Sequence, residues 1–88
     1  MKRTRVLISG EVQGVFFRDT CRRMAAQRGV NGWVRNLRDG RVEAVFEGTE
    51  DAVDTMVAWA HRGPNSAHVA DVAVHPEPPE GLTGFAVR

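Results

Sequence analysis

The hydrophobic spacing of this chain switches back and forth between a period of two residues and the helical period, and no other feature narrows its fold as much. In residues 4–10, Val6 and Ile8 share one face of an extended run. Phe17, Cys21, Met24 and Ala25 then fall on a helical stripe, with Arg22, Arg23 and Gln27 outside it. Gly29 is placed to end that helix, and Asp19 precedes Arg22 and Arg23 in the order that favours helix ion pairs. Residues 30–37 and 41–48 predict two strands joined around Asp39-Gly40, a hairpin signal; Val42, Ala44 and Phe46 alternate there with Glu43 and Glu47. Thr49 predicts an N-cap, Glu50 and Asp51 suit the positive helix end, and Val53, Met56, Val57 and Ala60 form a second stripe that Gly63-Pro64 stops. Residues 68–75 predict another strand, residues 76–81 a stiff turn, and residues 85–88 a short final strand.

The predicted order is β-α-β-β-α-β with one extra strand at the C-terminal end. That is an α+β, ferredoxin-like arrangement: a mixed, mostly antiparallel sheet with two helices on one face. Eighty-eight residues support one core, so residues 1–88 read as a single domain. No repeat, low-complexity tract or linker interrupts them. Such a fold hosts enzymes, RNA binders and ligand sensors alike, so function has to come from the residues of a site.

Charge is distributed unevenly. Residues 1–41 carry ten basic and three acidic side chains, whereas residues 42–88 carry two basic and eight acidic ones. A basic first half suits an anionic ligand, a small phosphate or a nucleic acid backbone, and equally suits plain solvated surface. Cys21 is the one cysteine, which excludes an internal disulfide and fits a reducing compartment. The basic opening MKRTRVLISGE is broken by Gly10 and Glu11 before a signal-peptide core can form, and no run is long enough to span a membrane. The expectation is a cytoplasmic monomer without membrane or nucleic acid partners.

The stretch GEVQGVFFRD, residues 10–19, lies where the first strand gives way to the first helix. Glycines there let the chain curl so that successive N–H groups converge into an anion-binding nest, and the helix dipole adds to the attraction. Arg18 falls in the first helical turn, where its planar fork suits phosphate oxygens. Taken alone, Gly-x-x-x-Gly is as compatible with a tight turn beside a solvated arginine.

The sequence resembles the acylphosphatase family. The family's motif Gly-x-Val-Gln-Gly-Val-x-Phe-Arg stands here as Gly10-Glu11-Val12-Gln13-Gly14-Val15-Phe16-Phe17-Arg18. A second motif, Gly-Trp-Val-x-Asn followed by a turn and Gly-x-Val, stands as Gly32-Trp33-Val34-Arg35-Asn36 and Asp39-Gly40-Arg41-Val42. The likeness continues through Glu47-Gly48 and Gly63-Pro64, covering essentially the whole chain. It implies hydrolysis of carboxyl–phosphate mixed anhydrides to carboxylate and inorganic phosphate, with no metal and no cofactor. By position, the loop Gln13, Gly14, Val15, Phe16, Phe17 and Arg18 would bind the phosphate through its amides and the Arg18 guanidinium; inorganic phosphate or sulfate would be the matching anion ligand. Asn36 would hold the attacking water, at phosphorus or at the carbonyl carbon. An acyl phosphate leaves as a weakly basic carboxylate, so positioning and charge stabilisation suffice without a strong acid. The chain departs from many relatives in stopping at FAVR without a longer, aromatic-ended tail, and in carrying His68 where arginine is frequent.

Other candidates carry less. His61, His68 and His75 recur every seven residues, but Pro64 breaks any continuous helix, and an odd spacing predicts His68 and His75 on opposite faces of one strand. Cys21 lies on an apolar stripe and reads as a packing thiol. Trp33 reads as a sheet residue near the site and Trp59 as a helix residue at the core or its rim. The alternatives to an enzyme are a non-catalytic phosphate-binding module and a nucleic-acid-binding module; the latter lacks the aromatic ladder used for base stacking, with Phe46 alone on the third strand.

Overall fold

Alternating apolar residues suit the first strand to an interior place in the sheet, where both its edges are paired. The computed structural model describes all residues, Met1–Arg88. In chain order the elements are β1 (Lys2–Glu11), α1 (Phe17–Arg28), β2 (Asn31–Asn36), β3 (Val42–Gly48), α2 (Glu50–Ala60), β4 (His68–Glu77) and β5 (Phe85–Val87). The sheet order is β4-β1-β3-β2-β5. β1 is antiparallel to both β3 and β4, β2 is antiparallel to β3, and β5 runs parallel to β2. β1 and β2 therefore run parallel with β3 inserted between them, the split βαβ arrangement expected from the sequence.

Strand alternation sends Val6, Ile8, Val34, Val42, Ala44 and Phe46 to one face of the sheet, where they meet Phe17, Cys21 and Ala25 of α1 and Val53, Met56, Trp59 and Ala60 of α2. Both helices thus cover the same face. Their ends follow the local chemistry: Gly29 closes α1 in a left-handed conformation with its N–H on the last-turn carbonyls, and Thr49 Oγ1 accepts the Ala52 N–H at 3.3 Å to start α2. Asp39 fastens the hairpin by accepting the Arg41 N–H at 3.1 Å.

The other face carries a lattice of charge. Arg3 pairs with Glu47 at 2.8 Å and Glu77 at 3.0 Å, Arg5 with Glu43 and Glu77, and Arg35 with Glu43. Trp33 lies on this face as well, with the Arg35 and Arg88 guanidinium groups 5.3 and 4.6 Å from its ring centre. Its expected place near the site is thereby corrected, because strand alternation turns it away from Val34 and the helices.

Two features of β4 and β5 depart from a simple alternating pattern. The register on β1 skips Ala70, since Gly10 faces Val69 and Ser9 faces Asp71. This bulge lets Val69 and Val72 both pack toward the core and brings His68 and His75 to the same face, not to opposite ones. The residues of 78–84 then cross from one edge of the sheet to the other. Buried Glu47 accepts the N–H groups of Glu80, Gly81 and Leu82, each at 3.0 Å, and holds this crossing in place. The short final strand is well anchored: Phe85 stacks on Phe46 at 6.1 Å, and the Arg88 N–H donates to Val34 O.

Candidate active site

Between β1 and α1 the backbone makes an uncommon turn. Gly14 has φ 74° and Phe16 has φ 63°, the one non-glycine residue of the chain with positive φ. A left-handed residue directly before a helix aims successive N–H groups to one side, and Phe16 is the N-cap of α1. The amides of residues 13–18 donate to no backbone or side-chain acceptor. They are left as a set of free donors at the positive end of a helix dipole.

Three contacts hold this loop in shape. The Gln13 side-chain amide donates to Leu37 O at 2.7 Å and to Arg41 O at 2.9 Å, and Ser66 Oγ donates to Val15 O at 2.6 Å. Phe17 is buried against Trp59, with ring centres 5.0 Å apart. Trp59 is accordingly a core residue, in line with one of the two places expected for it.

Arg18 follows in the first turn of α1, half-buried and, like Arg28, Arg38, Arg62 and Arg88, without an ion pair, while Lys2, Arg3, Arg5, Arg22, Arg23, Arg35 and Arg41 have carboxylate partners. Asp19, beside it, is engaged by Arg22 at 3.1 Å and Arg23 at 3.2 Å, so its negative charge is locally balanced. Asn36 ends β2, and its Oδ1 is buried with no hydrogen-bond partner. An unpartnered buried acceptor is costly unless something else occupies it.

Arg18 and Asn36 line one cleft of about 360 Å³ with Gly14, Phe16, Phe17 and Asp19, and Val12 and Val87 complete its apolar wall. Of the residues expected to bind phosphate, Gly14, Phe16, Phe17 and Arg18 reach this cleft. Gln13 and Val15 do not line it: the first is committed to the hairpin and the second to Ser66. Gly10 also has another task. It belongs to β1 rather than to the nest, and a Cβ there would stand 2.2 Å from His68 O at the bulge. Val87 was not foreseen, since nothing local marks a residue so distant in sequence as a wall of the cleft. Cys21 is fully buried, and burial pushes its thiol well above the ordinary range, which leaves it a packing group.

The acylphosphatase family model matches residues 4–87. The chain belongs to the acylphosphatase family. Members of the family are hydrolases acting on acid anhydrides. The chain is 57% identical to the acylphosphatase of Haloquadratum walsbyi over 86 residues, covering 98% of this chain and 92% of that protein. It is 60% identical to the acylphosphatase of Rubrobacter xylanophilus over 88 residues, covering 99% and 80%. The crystal structure of acylphosphatase from Bacillus subtilis matches with a TM-score of 0.95 at 36% identity, over 100% of this chain and 99% of that one. No group of three or more His, Cys, Asp or Glu side chains is gathered where it could hold a metal ion, and no helix is long and apolar enough to cross a membrane.

Proposed function

We propose that this cleft hydrolyses acyl phosphates, with Arg18 and the free amides of the Gln13–Arg18 loop holding the phosphoryl group and Asn36 orienting the water. The observation that carries the assignment is the buried, unpartnered Oδ1 of Asn36, which shares a cleft with an unpaired arginine and a row of unpaired amides. Oδ1 accepts a hydrogen bond from the water and so aims the water's lone pair at phosphorus. As the new P–O bond forms, the bond to the acyl oxygen breaks and its electron pair leaves on the carboxylate. The water's proton passes to a phosphoryl oxygen, because an amide does not take it up at neutral pH. Arg18 and the amides stabilise charge spreading over the equatorial oxygens. Inorganic phosphate, the product, and sulfate fit the same donors.

A nucleic-acid-binding role draws less support. Arg3, Arg5 and Arg35, on the sheet face away from the helices, are balanced by Glu43, Glu47 and Glu77, which leaves them little positive charge with which to displace counterions.

The test is phosphate release from several acyl phosphates in ¹⁸O-labelled water, with phosphate monoesters as controls. Label is expected in phosphate, and monoesters are expected to be poor substrates because an alkoxide leaving group needs an acid that the cleft does not offer. Label in the carboxylate would move the attack to the carbonyl carbon, and rapid monoester turnover would overturn the assignment.

A further inference from the structure

We infer that Gln13 is a positioning residue, one that sets where Asn36 stands relative to the anion-holding loop. The inference rests on the acyl phosphate reading above. Its geometric basis is a pair of hydrogen bonds from one nitrogen: Gln13 Nε2 donates to Leu37 O at 2.7 Å and to Arg41 O at 2.9 Å. Those two carbonyls are the ones that close the β2–β3 turn on itself. Leu37 O also accepts the Gly40 N–H at 3.2 Å, and Arg41 O also accepts the Leu37 N–H at 2.8 Å. Each carbonyl has two lone pairs, so each serves the turn with one and Gln13 with the other.

The consequence concerns Asn36 because Leu37 follows it directly. The hydrogen bonds of Gln13 are the only ones joining the loop of residues 12–16 to the hairpin; the loop's remaining side-chain tie, from Ser66, reaches the segment between α2 and β4. A primary amide has two N–H groups and therefore satisfies two carbonyls at once. Asparagine is one methylene shorter, glutamate offers an acceptor to two acceptors, and methionine offers no donor. Gln13 does not line the cleft, so its effect on the reaction passes through the separation of the two halves of the site.

The experiment compares the wild-type protein with Gln13→Met, Asn36→Ala and the double variant. Gln13→Met is expected to lower kcat by about tenfold or more through misplacement of the water, with competitive inhibition by inorganic phosphate held within about twofold. In the Asn36→Ala background the same change is expected to have little further effect, since the group it positions is gone. Full turnover in Gln13→Met, parallel loss of phosphate inhibition, or strict additivity with Asn36→Ala would each overturn the inference. A second readout does not depend on turnover. Amide hydrogen exchange at Leu37 and Gly40 is expected to quicken in Gln13→Met and the Asn36 side-chain resonances to move, while phosphate still shifts the amides of Gly14–Arg18. Unchanged exchange and unmoved Asn36 resonances would reject the inference even if the wild-type protein released phosphate from no acyl phosphate, an outcome that removes the catalytic reading by itself.

Discussion

Arg3 and Glu47 face each other at 2.8 Å across the β1–β3 pair, both buried on the side of the sheet away from the helices. Burial pushes the Glu47 carboxyl up, yet the Arg3 guanidinium and the amides of Glu80, Leu82 and Gly81 together hold it below the usual carboxylate range. A depressed folded value means that the contact contributes its full stability above the unfolded carboxylate value of about 4.3 and loses it as pH falls through the lower folded value. Melts across mildly to strongly acidic pH are expected to show that loss. Glu47→Gln is expected to shrink it and to cost about 3 kcal/mol at neutral pH, because Arg3 then keeps a buried charge with fewer partners. An acid limb identical in the variant would assign the pH dependence elsewhere.

Arg18 makes no ion pair in the protein, so replacing it disturbs no network and tests its proposed contact with the phosphoryl group alone. Arg18→Ala is expected to lose about 3 kcal/mol of transition-state binding together with affinity for inorganic phosphate. Arg18→Lys is expected to recover little, since a point charge does not reproduce a two-pronged donor. Turnover and phosphate inhibition in both variants decide the point; near-normal activity with lysine would show that charge alone is enough.

Asn36 is expected to behave differently from the loop. Asn36→Ala should depress kcat steeply and leave phosphate inhibition nearly intact, as befits an interaction made in the transition state. Asn36→Asp places a negative charge against the bound anion and should weaken phosphate as well. Equal weakening of phosphate in Asn36→Ala and Arg18→Ala would make Asn36 part of the anion cradle.

Gly10 tests the bulge rather than the chemistry. It has φ 124°, and a Cβ would stand 2.2 Å from His68 O and 2.7 Å from Ala70 N, backbone atoms that do not yield easily. Gly10→Ala is expected to cost about 3 kcal/mol in a urea or thermal melt, combining strain with overpacking. A loss below about 1 kcal/mol would mean that the two strands part cheaply there.

Turnover is expected to withstand a strong chelator. No group of potential metal ligands is assembled, and Arg18 with the helix amides already supplies positive charge in the cleft. Activity lost to chelation and restored by magnesium would require a metal in the reaction.

Much of the architecture was written in local chemistry. Gly29, Asp39-Gly40, Thr49 and Gly63-Pro64 mark element ends by their own conformational preferences, so the β-α-β-β-α-β order follows from the residues themselves. Two motifs single out Arg18 and Asn36 in the sequence, and both line one cleft. What remained illegible is relational. The bulge at Ala70 depends on how close Gly10 brings β1, and β4 alone shows only an odd spacing that points the histidines the wrong way. The face chosen by Trp33 depends on which side of β2 the helices cover. Gln13 reaches carbonyls 24 and 28 residues away, and a backbone carbonyl has no sequence signature at all.

The place of β1, paired on both edges, also shapes how the molecule is made. Of the five strands it leaves the ribosome first, and one of its two neighbours is β4, which ends at Glu77. Once residues 1–60 have emerged, both helices can already cover the joined β1, β3 and β2, yet one whole edge of β1 still presents unpaired backbone groups. Residues 61–77 take roughly one to three seconds to synthesise. During that interval the half-built sheet is open to pairing with another chain. Its vulnerability to misassociation is therefore timed by translation, and a ribosome that pauses before β4 prolongs it however stable the finished protein is.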